Sequence, residues 1–248
     1  MATGVPDTFS FVGGMYHEIR AARRMVFDSL FVDNADRNRT RDVKATALIL
    51  CGFLAPSFVY NNLAAWIRSL GIAAEVADYG WLNIPSFVRQ RTLLFESAEQ
   101  FKKRYGAIDY VIGHSLGGVE AVALLPHYSE IKKVFTIASP LNIRKSPGLV
   151  EIGAAMFMVP RPLQRNVLAS IKKKARRYAS KIVTISSDHD KWCPPASASF
   201  QGAKNIVVER LCANGGLTPL FEDVYHTHIA LPNSPVVREG ILRGELAG

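Results

Sequence analysis

Apolar residues in this chain fall into short continuous runs separated by stretches of helical period. Ala45–Cys51, Ile72–Tyr79, Ile108–Ile112, Ile131–Ala138, Lys181–Ile185 and Ile206–Leu211 read as strands. Runs of this kind, without polar alternation, suit strands covered on both faces, as in a parallel sheet. Ser57–Leu70, Phe87–Tyr105 and Val119–Leu125 read as helices, the first two closed by Gly71 and Gly106, and Val236–Leu246 reads as a terminal helix. Strands alternating with helices predict an α/β fold: a mostly parallel central sheet with helices on both faces, and ligands bound beyond the carboxyl ends of the strands.

Two regions stand outside this rhythm. Residues 1–44 form an N-terminal helical extension to the domain of residues 45–248. In it Met15, Ile19, Ala22, Val26 and Leu30 lie near helical spacing, with Arg20, Arg23 and Arg24 elsewhere on the helix. The spacing favours a helix packed on the body of the domain over one that seeks a membrane surface. Residues 141–180 carry an apolar piece, Leu149–Val159, then Pro160 and Pro162, then a basic helix-like piece, Val167–Tyr178. This segment reads equally as a lid or cap over the strand ends and as ordinary crossover helices.

Composition adds limits. The 248 residues are 48% hydrophobic and 21% charged, which suits one globular domain with a substantial core. The formal charge of +9 is concentrated in Arg20–Arg24, Arg37–Arg41, Lys102–Arg104 and Lys172–Arg177. Such clusters suit a solvated face, or an anionic membrane surface as partner. No nucleic-acid motif accompanies them, so specific nucleic-acid binding is not expected. The three cysteines, Cys51, Cys193 and Cys212, form neither a disulfide framework nor a metal-ligand spacing. No run of about 20 apolar residues and no secretory signal is visible, so the expectation is a soluble cytoplasmic chain, at most peripheral to a membrane.

The stretch that carries chemistry is Val111-Ile112-Gly113-His114-Ser115-Leu116-Gly117-Gly118. An apolar strand runs into a small-residue turn, and a helix follows at once. This is the order of a nucleophile elbow, in which a strained turn pushes Ser115 out of the sheet edge and the glycines occupy places where a Cβ would collide. The helix N-terminus favours negative charge developing nearby. A serine hydroxyl needs a base within hydrogen-bond reach, and the base an orienting carboxylate. Later strands are followed by loops holding Asp188, His189 and Asp190, and then His226 and His228.

In these features, from about Thr46 to the C-terminus, the chain resembles the α/β-hydrolase superfamily, and its Gly-His-Ser-Leu-Gly-Gly is the form found in lipases and esterases. The resemblance implies the α/β-hydrolase fold and a serine esterase that uses no metal and no cofactor. It makes Ser115 the nucleophile, Asp190 the acid (with Asp188 as competitor) and His228 the base (with His226 as competitor). It implies an oxyanion hole from the N–H groups of Leu116 and Phe53, Leu54 being the alternative second donor. His114 reads as a support. Cys51 stands where the family often has His. Leu54, Trp81, Met156 and Trp192 are candidate walls for a hydrophobic acyl group. The implied partner is a small-molecule or lipid ester. A thioesterase or acyltransferase of the same fold, and a non-catalytic binding protein, remain as alternatives.

Overall fold

The computed structural model describes residues 43–53, 55–78, 87–142, 161–190, 192–208 and 227–247, together with Ile19, Arg20, Ala22, Arg23 and Val26. Six strands form one sheet: β1 (Ala45–Leu50), β2 (Ile72–Val76), β3 (Tyr110–His114), β4 (Lys133–Ile137), β5 (Ile182–Ser187) and β6 (Lys204–Val208), in the order β2-β1-β3-β4-β5-β6. Every pairing is parallel. The chain goes from β1 outward to β2 and then returns to the other side of β1 for β3. The strand order therefore reverses at β1/β3, where a parallel sheet opens a crevice at its carboxyl edge.

Helices accompany the sheet among the described residues. A 3₁₀ turn (Ser57–Tyr60) leads into α1 (Asn61–Ser69), followed by α2 (Phe87–Tyr105), α3 (Leu116–Leu124) and α4 (Arg161–Ala175). A short α5 (Pro195–Ala198) precedes β6. The C-terminus is a π-helical segment (Val236–Leu242) running into α6 (Arg243–Ala247). Gly71 and Gly106, at φ 80° and 84°, end α1 and α2 in the left-handed conformation that suits glycine.

Alternate residues of the strands feed two cores. Ala47, Ile49, Ile112, Phe135, Ile137, Val183 and Ile185 pack with Leu63 and Ile67 of α1 and with Val237, Leu242 and Leu246 from the C-terminus. Leu48, Leu50, Val111, Val134 and Ile182 pack with Leu94, Ala98 and Phe101 of α2, with Ala121, Val122 and Leu124 of α3, and with Ala175 of α4. Each large side chain so buried contributes roughly 1.5–3 kcal/mol. Burial on both faces explains why β1 and β3 are mostly apolar and do not alternate with polar residues.

Some boundaries differ from the expected ones, for physical reasons. β5 continues through Ser186 and Ser187, which are buried although polar. β6 begins at Lys204 because an edge strand needs only its backbone to pair; residues 209–211 lie outside the described residues. The nucleophile helix starts at Leu116 rather than Val119, so Gly117 and Gly118 lie in its first turn. The terminal helix opens with a π segment, and the five-residue step from Val237 to Leu242 brings both to the same core. Of the 141–180 segment, residues 161–175 form α4 and residues 143–160 lie outside the described residues, as do almost all of residues 1–44. Among the described residues no helix is long and apolar enough to cross a membrane.

Candidate active site

Ser115 joins β3 to α3 in a backbone conformation, φ 52° and ψ −119°, that residues with a side chain seldom adopt. Such strain costs about 1–3 kcal/mol and persists only where the surroundings enforce it. The Ser115 N–H donates to the Ile137 carbonyl at 2.9 Å. A Cβ on Gly113 would stand 2.2 Å from the Gly117 carbonyl oxygen, and one on Gly117 would stand 2.3 Å from that of Leu50. The helix therefore approaches β3 and β1 at distances only glycine allows. The hydroxyl is presented at the β1/β3 crevice, beside the N–H groups of Leu116 and Gly117 that open α3, while the Gly118 N–H donates to the Ser115 carbonyl at 3.1 Å.

His228 comes from the turn before a 3₁₀ segment, Leu231–Asn233, and its ring stands over the serine. Its Nε2 lies 3.0 Å from Ser115 Oγ, and its Nδ1 lies 2.8 Å from Asp190 Oδ2. Asp190 follows β5, and its other oxygen accepts the N–H groups of Trp192 at 2.9 Å and Cys193 at 2.7 Å. Because Oδ1 is held by the backbone, Oδ2 has one direction to face. Ser115, His228 and Asp190 are 4%, 3% and 1% exposed, so little water competes for these contacts. Asp188, in contrast, is exposed and lies 3.7 Å from His189 Nε2. His226 lies outside the described residues.

The loop after β1 reaches the same place. A Cβ on Gly52 would lie 3.3 Å from Ser115 Cβ, so the segment that continues into half-buried Phe53 passes directly beside the nucleophile. Cys51 is a buried core residue whose Sγ donates to the Ala77 carbonyl at 3.6 Å. Burial, with Glu120 and Asp78 nearby, pushes its thiol pKa well up. The polar contacts of this loop go to Tyr60, which sequence reasoning did not single out. The Gly52 N–H donates to the Tyr60 hydroxyl at 2.9 Å, and that hydroxyl lies 2.7 Å from His114 Nδ1. His114 Nε2 donates to the His228 carbonyl at 2.9 Å. Burial, with His228 close by, drives the His114 pKa down to about 3, so its ring is neutral at ordinary pH. The only local signal for Tyr60 is a phenol in an apolar stretch, which needs a partner once buried.

Of the candidate wall residues, Trp192 is half-buried with its ring centroid 5.4 Å from that of His228. Leu54, Trp81 and Met156 lie outside the described residues. A cavity of about 220 Å³ runs between α2, α3 and α4, bounded by Leu116, Val119 and Ala123 of α3, by Leu94 and Phe95 of α2, and by Ile171 of α4. Leu116, the residue after the serine, is on its wall, and Glu120, His127, Ser170 and Lys174 add polar groups to the lining. Among the described residues no group of three or more His, Cys, Asp or Glu side chains is disposed to hold a metal ion.

The sheet order and the strand–Ser–helix turn at the order reversal decide the architecture, and solved structures agree with it. The chain has the α/β-hydrolase fold. It is similar to Est1E from Butyrivibrio proteoclasticus, at 16% identity and TM-score 0.59 over 85% of this chain and 90% of that one. It is also similar to the Bacillus licheniformis lipase BlEst2 in mature form, at 13% identity and TM-score 0.62 over 83% and 94% of the two chains. A third is the esterase domain of a Rhodothermus marinus protein, at 17% identity and TM-score 0.55 over 85% and 88%. No family model and no curated protein sequence matches the chain. Within the α/β-hydrolase fold, a hydroxyl, an imidazole and a carboxylate in one hydrogen-bonded line can pass a proton away from oxygen and return it.

Proposed function

We propose that this chain is a serine hydrolase that cleaves carboxylic esters with a hydrophobic acyl part through an acyl-enzyme on Ser115. The observation that carries this reading is the line Ser115 Oγ–His228 Nε2 at 3.0 Å and His228 Nδ1–Asp190 Oδ2 at 2.8 Å, almost closed to water. The esterases and lipases among its structural neighbours support the same chemistry.

His228 Nε2 takes the Ser115 proton as Oγ bonds to the ester carbonyl carbon. The carbonyl electron pair moves to oxygen, and the N–H groups of Phe53 and Leu116 hold that oxyanion, each donor being worth on the order of 3 kcal/mol. Asp190 keeps the imidazole proton on Nδ1 and stabilises the imidazolium. His228 then gives its Nε2 proton to the leaving alkoxide oxygen as the carbon–oxygen bond breaks. In the second half a water loses a proton to His228 and attacks the acyl carbon, and Ser115 leaves with that proton restored.

The acyl group would lie along α3 in the cavity behind Leu116, whose mostly apolar walls suit hydrocarbon, while Trp192 packs against the histidine ring. The test is a panel of p-nitrophenyl esters and acyl thioesters of graded chain length. Ester turnover that Ser115→Ala abolishes is the expected result. Folded wild-type protein without turnover, or turnover retained in Ser115→Ala, would overturn it. A consistent preference for thioesters would move the reading to a thioesterase on the same residues.

A further inference from the structure

His114, Tyr60 and Gly52 form a hydrogen-bonded chain whose every direction is fixed. The Gly52 amide can only donate, so the Tyr60 oxygen accepts from it at 2.9 Å. The single phenolic proton is then free for His114 Nδ1, at 2.7 Å. Nδ1 is thereby an acceptor, so the ring proton sits on Nε2, which donates at 2.9 Å to the His228 carbonyl, a group that can only accept. No other tautomer satisfies all three contacts. Tyr60 and His114 are 1% and 6% exposed, so losing a link leaves buried polar atoms without replacement water.

Three of the four members of this chain belong to the three separate segments that build the reacting centre. Gly52 immediately precedes Phe53 on the loop after β1, His114 immediately precedes Ser115, and the carbonyl belongs to His228 itself. Packing makes the junction tight, because a Cβ on Gly52 would lie 2.9 Å from His114 Nδ1 and 3.1 Å from the Tyr60 hydroxyl. Tyr60 itself sits at the end of the 3₁₀ turn before α1, anchored in the core.

We propose that Tyr60 and His114 are positioning residues that clamp the Phe53 donor, Ser115 and His228 at one mutual spacing through the Gly52–Tyr60–His114–His228 hydrogen-bond chain. This rests on the serine-hydrolase reading above. Neither residue touches the reacting atoms. Both act by fixing where the oxyanion donor and the base stand, and displacement of such groups by about 1 Å can cost on the order of a hundredfold in rate.

The test uses the full chain with Tyr60→Phe, His114→Phe and His114→Gln, the last keeping an amide acceptor and an amide donor. For each, folded active sites are counted by fluorophosphonate titration. Then kcat and KM are measured on p-nitrophenyl butyrate, along with the affinity for an alkyl boronic acid that mimics the tetrahedral adduct. Tyr60→Phe and His114→Phe should lower kcat per titrated site by about tenfold to a hundredfold with KM within about twofold, and weaken boronate binding in parallel. His114→Gln should recover most of the loss, and the Tyr60→Phe/His114→Phe pair should be no worse than the poorer single variant. Nitrogen-15 NMR of wild type should show His114 protonated on Nε2 alone. Per-site kcat and boronate affinity within about twofold of wild type in both Phe variants would overturn the clamp, as would effects that multiply in the pair, or a His114 protonated on Nδ1. Wild type that neither titrates nor turns over, yet shows the Nε2–H signal, would instead sink the hydrolase reading itself and reduce the chain to a fold-holding contact.

Discussion

Asp190 and His228 meet at 2.8 Å with side chains 0% and 4% exposed, and the second Asp190 oxygen is tied down by two backbone N–H groups. Asp188, two residues away, points at His189 and is half exposed. Asp190→Asn should therefore lower kcat by a factor on the order of 10⁴, because the amide presents the wrong partner to Nδ1. Asp188→Asn should change kcat less than about threefold. Steady-state kinetics on a p-nitrophenyl ester decides the matter, and the reverse order would reassign the acid.

Acid should destabilise this protein through His114. Its pKa falls from 6.5 to about 3 on folding, mainly by burial. Between those values the unfolded chain binds the proton and the folded chain does not. The contribution is therefore complete above about pH 6.5 and is lost as pH falls toward 3, at up to on the order of 1 kcal/mol per pH unit. Urea midpoints at pH 7.5 and pH 5 should differ by more in wild type than in His114→Gln, which cannot titrate. An equal acid loss in both would contradict this.

The glycines of the elbow should separate sharply from one at the C-terminus. Gly113→Ala places a Cβ 2.2 Å from the backbone of α3 and should cost more than about 3 kcal/mol, enough to prevent folding. Gly244→Ala meets nothing within 4 Å in α6 and should stabilise by about 0.5–1 kcal/mol. Soluble yield and thermal melts of the two variants test the contrast.

The sheet could be read locally, because β1 and β3 are buried on both faces and so appear as mostly apolar runs without polar alternation. Ser115, Asp190 and His228 could be picked out because each follows a strand, in the order that the resemblance to α/β-hydrolases implies. Tyr60 could not. Its partners are Gly52, eight residues back, and His114, 54 residues on, and the third contact, from His114 to His228, spans 114 residues. Only the packed fold brings them together. The π-helical opening of the C-terminal segment was hidden for a similar reason, since the core-facing step from Val237 to Leu242 is set by the sheet it covers.

The cavity along α3 carries its own expectation. Ala123 lies on its wall, seven residues from Leu116. Ala123→Phe should lower kcat/KM for a dodecanoyl ester by about tenfold or more relative to a butanoyl ester. An unchanged chain-length profile would place the acyl group elsewhere.

Mass spectrometry of the protein after treatment with a fluorophosphonate is the most direct measure of whether the Ser115 oxygen is a nucleophile. The expected result is one adduct per chain on Ser115, formed in step with the loss of ester turnover and absent from Ser115→Ala. A folded wild-type chain that stays unlabelled, or that carries its adduct on another residue, would contradict the account.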